Sequence, residues 1–402
     1  MTMTAETSLT ADERRVGELV DDLLTHFPPT ETTPFEFLGQ QYDRGLAWVH
    51  FDDGFGGLGL NPKMQKIVNE RLQQANAPSP MYRNPIGYGM CGPTVAVWGS
   101  DEQKQRYLRP LFTGEEVWCQ LFSEPGSGSD FAGLSSSGIR DGEEWICNGQ
   151  KVWTTLAHLS RWGLLVVRTD PQAVKHAGLT AFVVDMHAPT VEIRPLRQMT
   201  GEAEFNEVFF SDTRIPDSER LGEPGDGWRV SLTTLMNERV SIGGTIPQKG
   251  SGPISSLVDQ WVGLDEDRRD AATLDEVMQL WSRAEVLRLT NIRANQMRKM
   301  GDPGPEGSIG KMASADLNKD IYEKTVDLMG ADGLLYGSYE MVAPETAMGA
   351  NTLQQAFLRS RANSIEGGTT EVMKNILGER VLGLPGDVRV DREVPWADVP
   401  RN

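Results

Sequence analysis

At 402 residues the chain exceeds what one hydrophobic core usually serves, so two or three subdomains are expected. Its 39 Lys and Arg stand against 57 Asp and Glu, a formal charge of −18 with no basic run, which excludes nucleic acid as a partner. No stretch approaches about 18 consecutive apolar residues, so no membrane span is expected, and the polar, acidic start MTMTAETSLTADE lacks the regions of a signal peptide, which points to the cytoplasm.

Residues 12 to about 115 read as helices broken by loops, because ADERRVGELVDDLLTHF, NPKMQKIVNERLQQA and GSDEQKQRYLRPLFTGEE carry apolar residues near helical spacing. From about 116 the period shortens. WICNGQKVW predicts a hairpin, since Asn148-Gly149 suits the left-handed dihedrals of a type I′ turn between two apolar-rich arms. Strand-like runs follow at WGLLVVRT, LTAFVVDM, VEIRPL and EVFFSDTRIP, separated by Gly, Pro and Asp. After Gly227 the helical pattern returns, and Leu274, Val277, Met278, Trp281 and Ala284 form one apolar stripe on a helix running to about Met300. GDPGPEG at 301–307 forces a turn, SIGKMASADLNKDIYEKTVDLM predicts a further helix, and the tail after Leu384 reads as extended and non-globular. The expected class is α+β: an N-terminal helical domain (1–115), a central β domain (116–226) and a C-terminal helical bundle (227–402). Cys91, Cys119 and Cys147 are odd in number and the five histidines are scattered, so neither a disulfide framework nor a metal site is expected.

Several segments carry chemistry. The small residues of SEPGSGSD let backbone N–H groups approach a ligand closely. In order along the chain, WCQLFSEPGSGSD (118–130), NGQKVWTT (148–155), EVFFSDTRIP (207–216) and SIEGGTTEVMKNILGERVLGLP (364–385) resemble the acyl-CoA dehydrogenase family, and the resemblance covers nearly the whole chain. It implies an acyl-CoA dehydrogenase-like fold and FAD as cofactor. By this resemblance Phe122 and Ser123 line the flavin pyrimidine edge, Gly128 and Ser129 lie near the flavin's phosphates or the CoA, and Trp153 and Thr155 flank the isoalloxazine. Thr369 and Glu371 belong to the flavin-binding turn GGTTE, and Gly330 and Gly333 of DLMGADG reach a flavin held mainly by a neighbouring subunit. Taken alone, Trp153 reads as a packed strand aromatic, a reading the neighbouring motifs reverse, and Gly330 reads equally as a helix C-cap.

Dehydrogenation of an acyl-CoA thioester needs a carboxylate base on one side of the Cα–Cβ bond, a hydride acceptor on the other, and donors to the thioester carbonyl. Two glutamates lie where the family supplies a base. In the commoner pattern the base is followed by one Gly and then Thr, but Glu366 precedes Gly367, Gly368 and Thr369; anchoring on Thr369 puts Gly367 in the base's place. The second pattern, a Glu-Arg pair eleven residues after the Gly that opens a helix, fits Gly227 and Glu238-Arg239. The resemblance therefore implies Glu238 as base, Gly367 N–H as carbonyl donor, Glu366 as the alternative base, and Ser129 and Arg239 as substrate contacts.

GGTIPQKGSGPISSLVD has no counterpart of the family's Arg-x-x-Phe-Gly segment, whose arginine contacts a partner's flavin, and GDPGPEGS resembles a bacterial subgroup in which paired, non-identical subunits share one active site. The implied partners are an acyl-CoA, an electron acceptor such as an electron-transfer flavoprotein, and other subunits in a homodimer, homotetramer or heterotetramer. The expected activity is α,β-dehydrogenation within fatty-acid β-oxidation. Two alternatives stay open: a non-catalytic or half-site subunit of a heteromeric dehydrogenase, and an oxidase or monooxygenase on the same fold.

Overall fold

A computed structural model describes residues 10–243, 247–299, 306–345, 352–386, 388, 390–391 and 393–400; within its helices the side chains of 238–243, 298–299 and 306 lie outside the described set. The chain begins with α1 (Ala11–His26), opened by a capping box in which Thr10 Oγ1 accepts from Glu13 N and Glu13 accepts from Thr10 N. Val16, Val20 and Leu23 then fall on one face and are buried. Five more helices follow: α2 (Pro34–Asp43), α3 (Gln65–Gln74), α4 (Pro80–Arg83), α5 (Gly92–Trp98) and α6 (Asp101–Thr113). Gly114, at φ 78°, stops α6 as a left-handed cap that a β-carbon would disfavour.

The eight strands are β1 (Trp118–Leu121), β2 (Ser137–Asp141), β3 (Glu144–Thr155), β4 (Trp162–Arg168), β5 (Leu179–Asp185), β6 (Val191–Pro195), β7 (Phe205–Pro216) and β8 (Arg220–Leu221). They form one sheet in the order β6-β7-β3-β2-β4-β5-β8, with β1 parallel to β4. Successive residues of β4 serve two cores: Leu164 and Val166 cluster with Phe37, Leu108 and Phe112 of the N-terminal helices and Trp48 of the loop after α2, while Leu165 and Val167 cluster with Trp145, Phe182 and Val208. Burial on both faces is why WGLLVVR reads as a continuous apolar run rather than an alternating one.

Asn148-Gly149 does not form the expected hairpin. β3 runs straight through it, and the turn lies at 142–143, between β2 and β3. Asn148 is held across the sheet, its Nδ2 donating to Asp212 Oδ1 at 3.0 Å and its Oδ1 accepting from Asp212 N at 2.8 Å; the residual irregularity is a bulge between Cys147 and Gly149.

The C-terminal helices are α7 (Gly227–Gly243), α8 (Pro253–Gly263), α9 (Ala271–Lys299), α10 (Glu306–Met329), α11 (Leu353–Ser360) and α12 (Thr370–Ile376). Ile254, Leu257, Val277, Leu280, Leu317, Ile321 and Leu328 make the core of α8, α9 and α10. The predicted stripe on α9 is split. Val277, Trp281 and Ala284 face this core, whereas Leu274 and Met278 are 41 % and 48 % exposed, because α8 and α10 cover a narrower arc than the apolar residues span. Of GDPGPEG, residues 301–305 lie outside the described residues. The tail is not wholly free either: Trp396 lies under the Arg168 guanidinium, 4.2 Å from ring centroid to Cζ, and donates to Gly133 O, while its own N–H reaches Ala173 O at 2.9 Å. Among the described residues no helix is long and apolar enough to cross a membrane.

Candidate active site

The segment after β1 is anchored by a buried ion pair. Glu124 accepts from Ser135 N (2.7 Å), Ser135 Oγ (2.9 Å), Ser136 N (3.0 Å) and Lys151 Nζ (2.8 Å), and the Lys151 and Glu124 side chains are 0 % and 5 % exposed. Burial alone would raise the Glu124 carboxyl, but Lys151 and these donors hold it down at about 2; burial pulls Lys151 below its usual range, and Glu124 opposes that. Lys151 also donates to Phe122 O (3.1 Å), and Val152 N donates to Ser123 O (2.9 Å), so Phe122 and Ser123 are stitched to the strand that carries Trp153. Past Glu124 the loop folds back through paired Glu124 and Ser127 backbone bonds, and Ser127 Oγ donates to Asp130 O. Gly128 and Ser129 are exposed, and a side chain at Gly126 or Gly128 would meet nothing within 4 Å. The loop backbone is open to a ligand.

Trp153 is not a packed strand aromatic. A register shift between Lys151 and Thr154 throws it into the left-handed region at φ 59°, and 61 % of it is exposed. Its ring meets Phe205 edge-on, with centroids 6.0 Å apart and planes at 87°. Thr155 pairs with Phe205 across the sheet and is half-buried, while the buried Thr154 Oγ1 and Thr370 Oγ1 have no hydrogen-bond partner among the described residues.

The bundle is fastened to this end of the sheet. Ala203 N donates to Val342 O at 2.7 Å, Val342 N to Gly201 O at 3.1 Å, and His158 Nε2 to Pro344 O at 3.0 Å. Arg359, at the end of α11, forks onto Glu366: Nη1 to Oε1 at 3.0 Å and Nη2 to Oε2 at 2.9 Å. Its Nε lies 3.3 Å from Glu204 Oε1, and its guanidinium sits 5.8 Å from the Phe205 centroid. Burial would pull Arg359 down, but Glu366 and Glu204 push it up and keep it charged. Asn363 Nδ2 adds a third donor to Glu366, at 2.9 Å. Gly367 and Gly368 follow at φ 61° and 91°, and Thr369 caps α12 by accepting from Val372 N at 3.1 Å. Glu371 is exposed in the first turn of α12.

Phe122, Ser123, Trp153, Thr155, Glu366, Gly367 and Thr369 are thus linked through β3, Phe205 and Arg359. The other candidates stand differently. Gly330, at φ 63°, ends α10 as a left-handed cap, and a β-carbon on the buried Gly333 would lie 2.5 Å from Val326 O, so both have local reasons to be glycine. Helix α7 is fixed at its start, where Gly227 leaves no room for a side chain against Leu179 and Thr180, and along its length by Thr234 Oγ1 with Thr94 Oγ1 (2.9 Å) and Trp98 Nε1 to Thr233 Oγ1 (2.9 Å). Glu238 follows Thr234 by one turn, and Arg239 comes next; their side chains lie outside the described residues.

The N-terminal, middle and C-terminal domain models of acyl-CoA dehydrogenase match residues 17–115, 119–213 and 225–382. Acyl-CoA dehydrogenase IpdE1 of Mycobacterium tuberculosis is 35 % identical over 352 residues, 86 % of each chain. The chain belongs to the acyl-CoA dehydrogenase family. It is an oxidoreductase of that family, whose members bind FAD, and FAD is its cofactor. Two solved structures share the family fold: the Tcur3481-Tcur3483 steroid ACAD (TM-score 0.70, 22 % identity, 94 % of this chain and 99 % of that one) and the ChsE4-ChsE5 complex of Mycobacterium tuberculosis (TM-score 0.68, 24 % identity, 95 % and 100 %).

The residues present fit a flavin. An exposed indole on a strained backbone, buried Thr154 and Thr370 hydroxyls without partners among the described residues, and an open glycine loop are features a bound planar, hydrogen-bonding group would complete. Sequence reasoning missed Lys151, Glu124, Glu204 and Arg359. A lysine inside the apolar run of KVW was a legible sign of a buried partner; the grouping of Arg359 with residue 204 left no linear trace.

Proposed function

We propose that the chain removes hydrogen from Cα and Cβ of an acyl-CoA thioester to give the 2-enoyl-CoA, with Glu238 taking the α-proton and Gly367 N–H holding the thioester carbonyl. The observation that carries the choice of base is the occupied carboxylate of Glu366. Both its oxygens already accept from Arg359, and Asn363 adds a further donor, so the carboxylate is held in a half-buried fork rather than standing free. Glu238 lies on the helix whose exposed apolar residues Leu232 and Met236, one turn apart, offer an apolar surface for the acyl chain. Arg239 and Ser129 serve the CoA part. Phe122, Ser123, Gly128, Ser129, Trp153, Thr155, Thr369 and Glu371 hold FAD, and Gly330 and Gly333 reach a partner's. FAD, when bound, supplies the acceptor for the β-hydride.

The reading makes the chain a cytoplasmic enzyme of lipid β-oxidation that passes electrons to an acceptor such as an electron-transfer flavoprotein. The fold shared with the Tcur3481-Tcur3483 steroid ACAD and the ChsE4-ChsE5 complex favours a second version, in which the chain is one subunit of a heteromeric enzyme acting on a ring-bearing acyl group. Anaerobic stopped-flow reduction by a panel of acyl-CoA thioesters, with FAD content measured first, tests both. Glu238→Gln is expected to keep FAD and lose about 10²- to 10⁴-fold in reduction rate, while Glu366→Gln loses far less. The reverse order makes Glu366 the base; activity only with a second chain supports the heteromeric version.

A further inference from the structure

We propose that Arg359 is a positioning residue that sets the Gly367 turn against the Trp153 platform. The inference rests on the reading of Gly367 N–H as the thioester donor. Gly367 and Gly368 sit in succession at φ 61° and 91°, and neither has a side chain with which to hold its peptide plane. The direction of the Gly367 N–H is therefore imposed from the flanks. Behind the turn, Thr369 caps α12; ahead of it, Glu366 is gripped by the Arg359 fork at 3.0 and 2.9 Å and by Asn363 at 2.9 Å. Asn363 is itself tied to α10, its carbonyl accepting from Lys311 Nζ at 2.8 Å.

The other side of Arg359 faces the sheet. Its Nε is 3.3 Å from Glu204, its guanidinium is 5.8 Å from the Phe205 ring, and Phe205 meets Trp153 edge-on at 6.0 Å. One planar cation thus spans the bundle and the sheet, touching the residue before the carbonyl donor and the residue that abuts the exposed indole. A lysine could match the charge but not this fork. The guanidinium also neutralises Glu366, whose charge would otherwise stand one residue from the point where negative charge develops on the thioester oxygen. Arg359 touches neither substrate nor cofactor in this scheme.

The test uses Arg359→Met, which keeps the apolar stem, Arg359→Lys, and a cycle with Glu366→Gln. Hydrogen exchange of the 361–369 segment needs no ligand: in Arg359→Met it is expected to speed up about tenfold or more, with exchange of β3 to β5 unchanged. With FAD content equal to wild type, acyl-CoA-driven reduction in Arg359→Met is expected to slow about 10- to 100-fold, with KM altered much less, because a displaced donor costs rate rather than binding. The double variant should cost no more than the worse single, since the two residues act as one unit. Wild-type exchange and rate in Arg359→Met, or fully additive costs in the cycle, overturn the proposal. If Arg359→Met does not fold, Arg359→Lys decides on the same readouts, with a smaller slowing expected and an unchanged rate counting against. Failure of the wild-type protein to reduce flavin with any acyl-CoA sinks the dehydrogenase reading, and with it the donor role; a normal wild-type rate with no response to Arg359 sinks only this one.

Discussion

Trp153 combines two local costs in the free chain: a non-glycine residue at φ 59°, and a large aromatic surface left 61 % exposed. Such strain is of order 1–3 kcal/mol and persists where function repays it. Trp153→Gly should therefore leave the FAD-free protein as stable or up to about 1 kcal/mol more stable, while FAD affinity falls about tenfold through loss of a ring contact. Thermal melts of the FAD-free protein and FAD titrations check this; a destabilised variant with unchanged FAD affinity would remove Trp153 from the flavin site. At this scale the sequence was informative about which residue types matter. Trp153 alone reads as a packed strand aromatic and only its neighbouring motifs point to a flavin, and the bulge that turns the indole outward depends on the pairing of β3 with β7.

The Glu124–Lys151 pair joins the loop after β1 to β3 and, through Ser135 and Ser136, to the start of β2. Its pH dependence follows from sign. Glu124 is depressed from 4.5 to about 2 in the folded chain, so its stabilisation is complete above about pH 4.5 and is lost as pH falls toward 2, the unfolded chain binding the proton first. Glu124→Gln strands a fully buried ammonium and is expected to cost about 3–5 kcal/mol, with the stability slope between pH 4.5 and 2 flattened. Denaturant melts across that range measure both, and a Glu124→Gln protein as stable as wild type at pH 7 would rule out the clamp. Element types were largely legible, because apolar periodicity survives in one dimension. The Asn148-Gly149 hairpin was not: the dipeptide suits a turn locally, but Asn148 bonds across the sheet to Asp212, sixty-four residues on.

For the whole molecule, the outward side of the bundle carries Val262, Met278, Val286 and Leu289, between 48 % and 63 % exposed. Apolar residues left open on neighbouring helices are expected to be covered in an assembly. Light scattering should give a dimer or tetramer, and Val286→Glu with Leu289→Glu should lower the mass; an active, FAD-bearing monomer would refute this. The order helices, sheet, helices was readable from the change of period alone, whereas the expectation of Glu238 rather than Glu366 as base, with Gly367 at the turn, rests on the resemblance to the family. What the sequence could not contain is which distant side chains share one place. Arg359 meets Glu204 and Phe205 beside the place where 336–344 docks on the loop before β7, and its fork onto both Glu366 oxygens is what supports the proposal of Glu238 as the base. Spacing determines element type and motif order; which side chains meet is decided by packing, which brings Arg359 to Glu204 although the chain keeps them more than 150 residues apart.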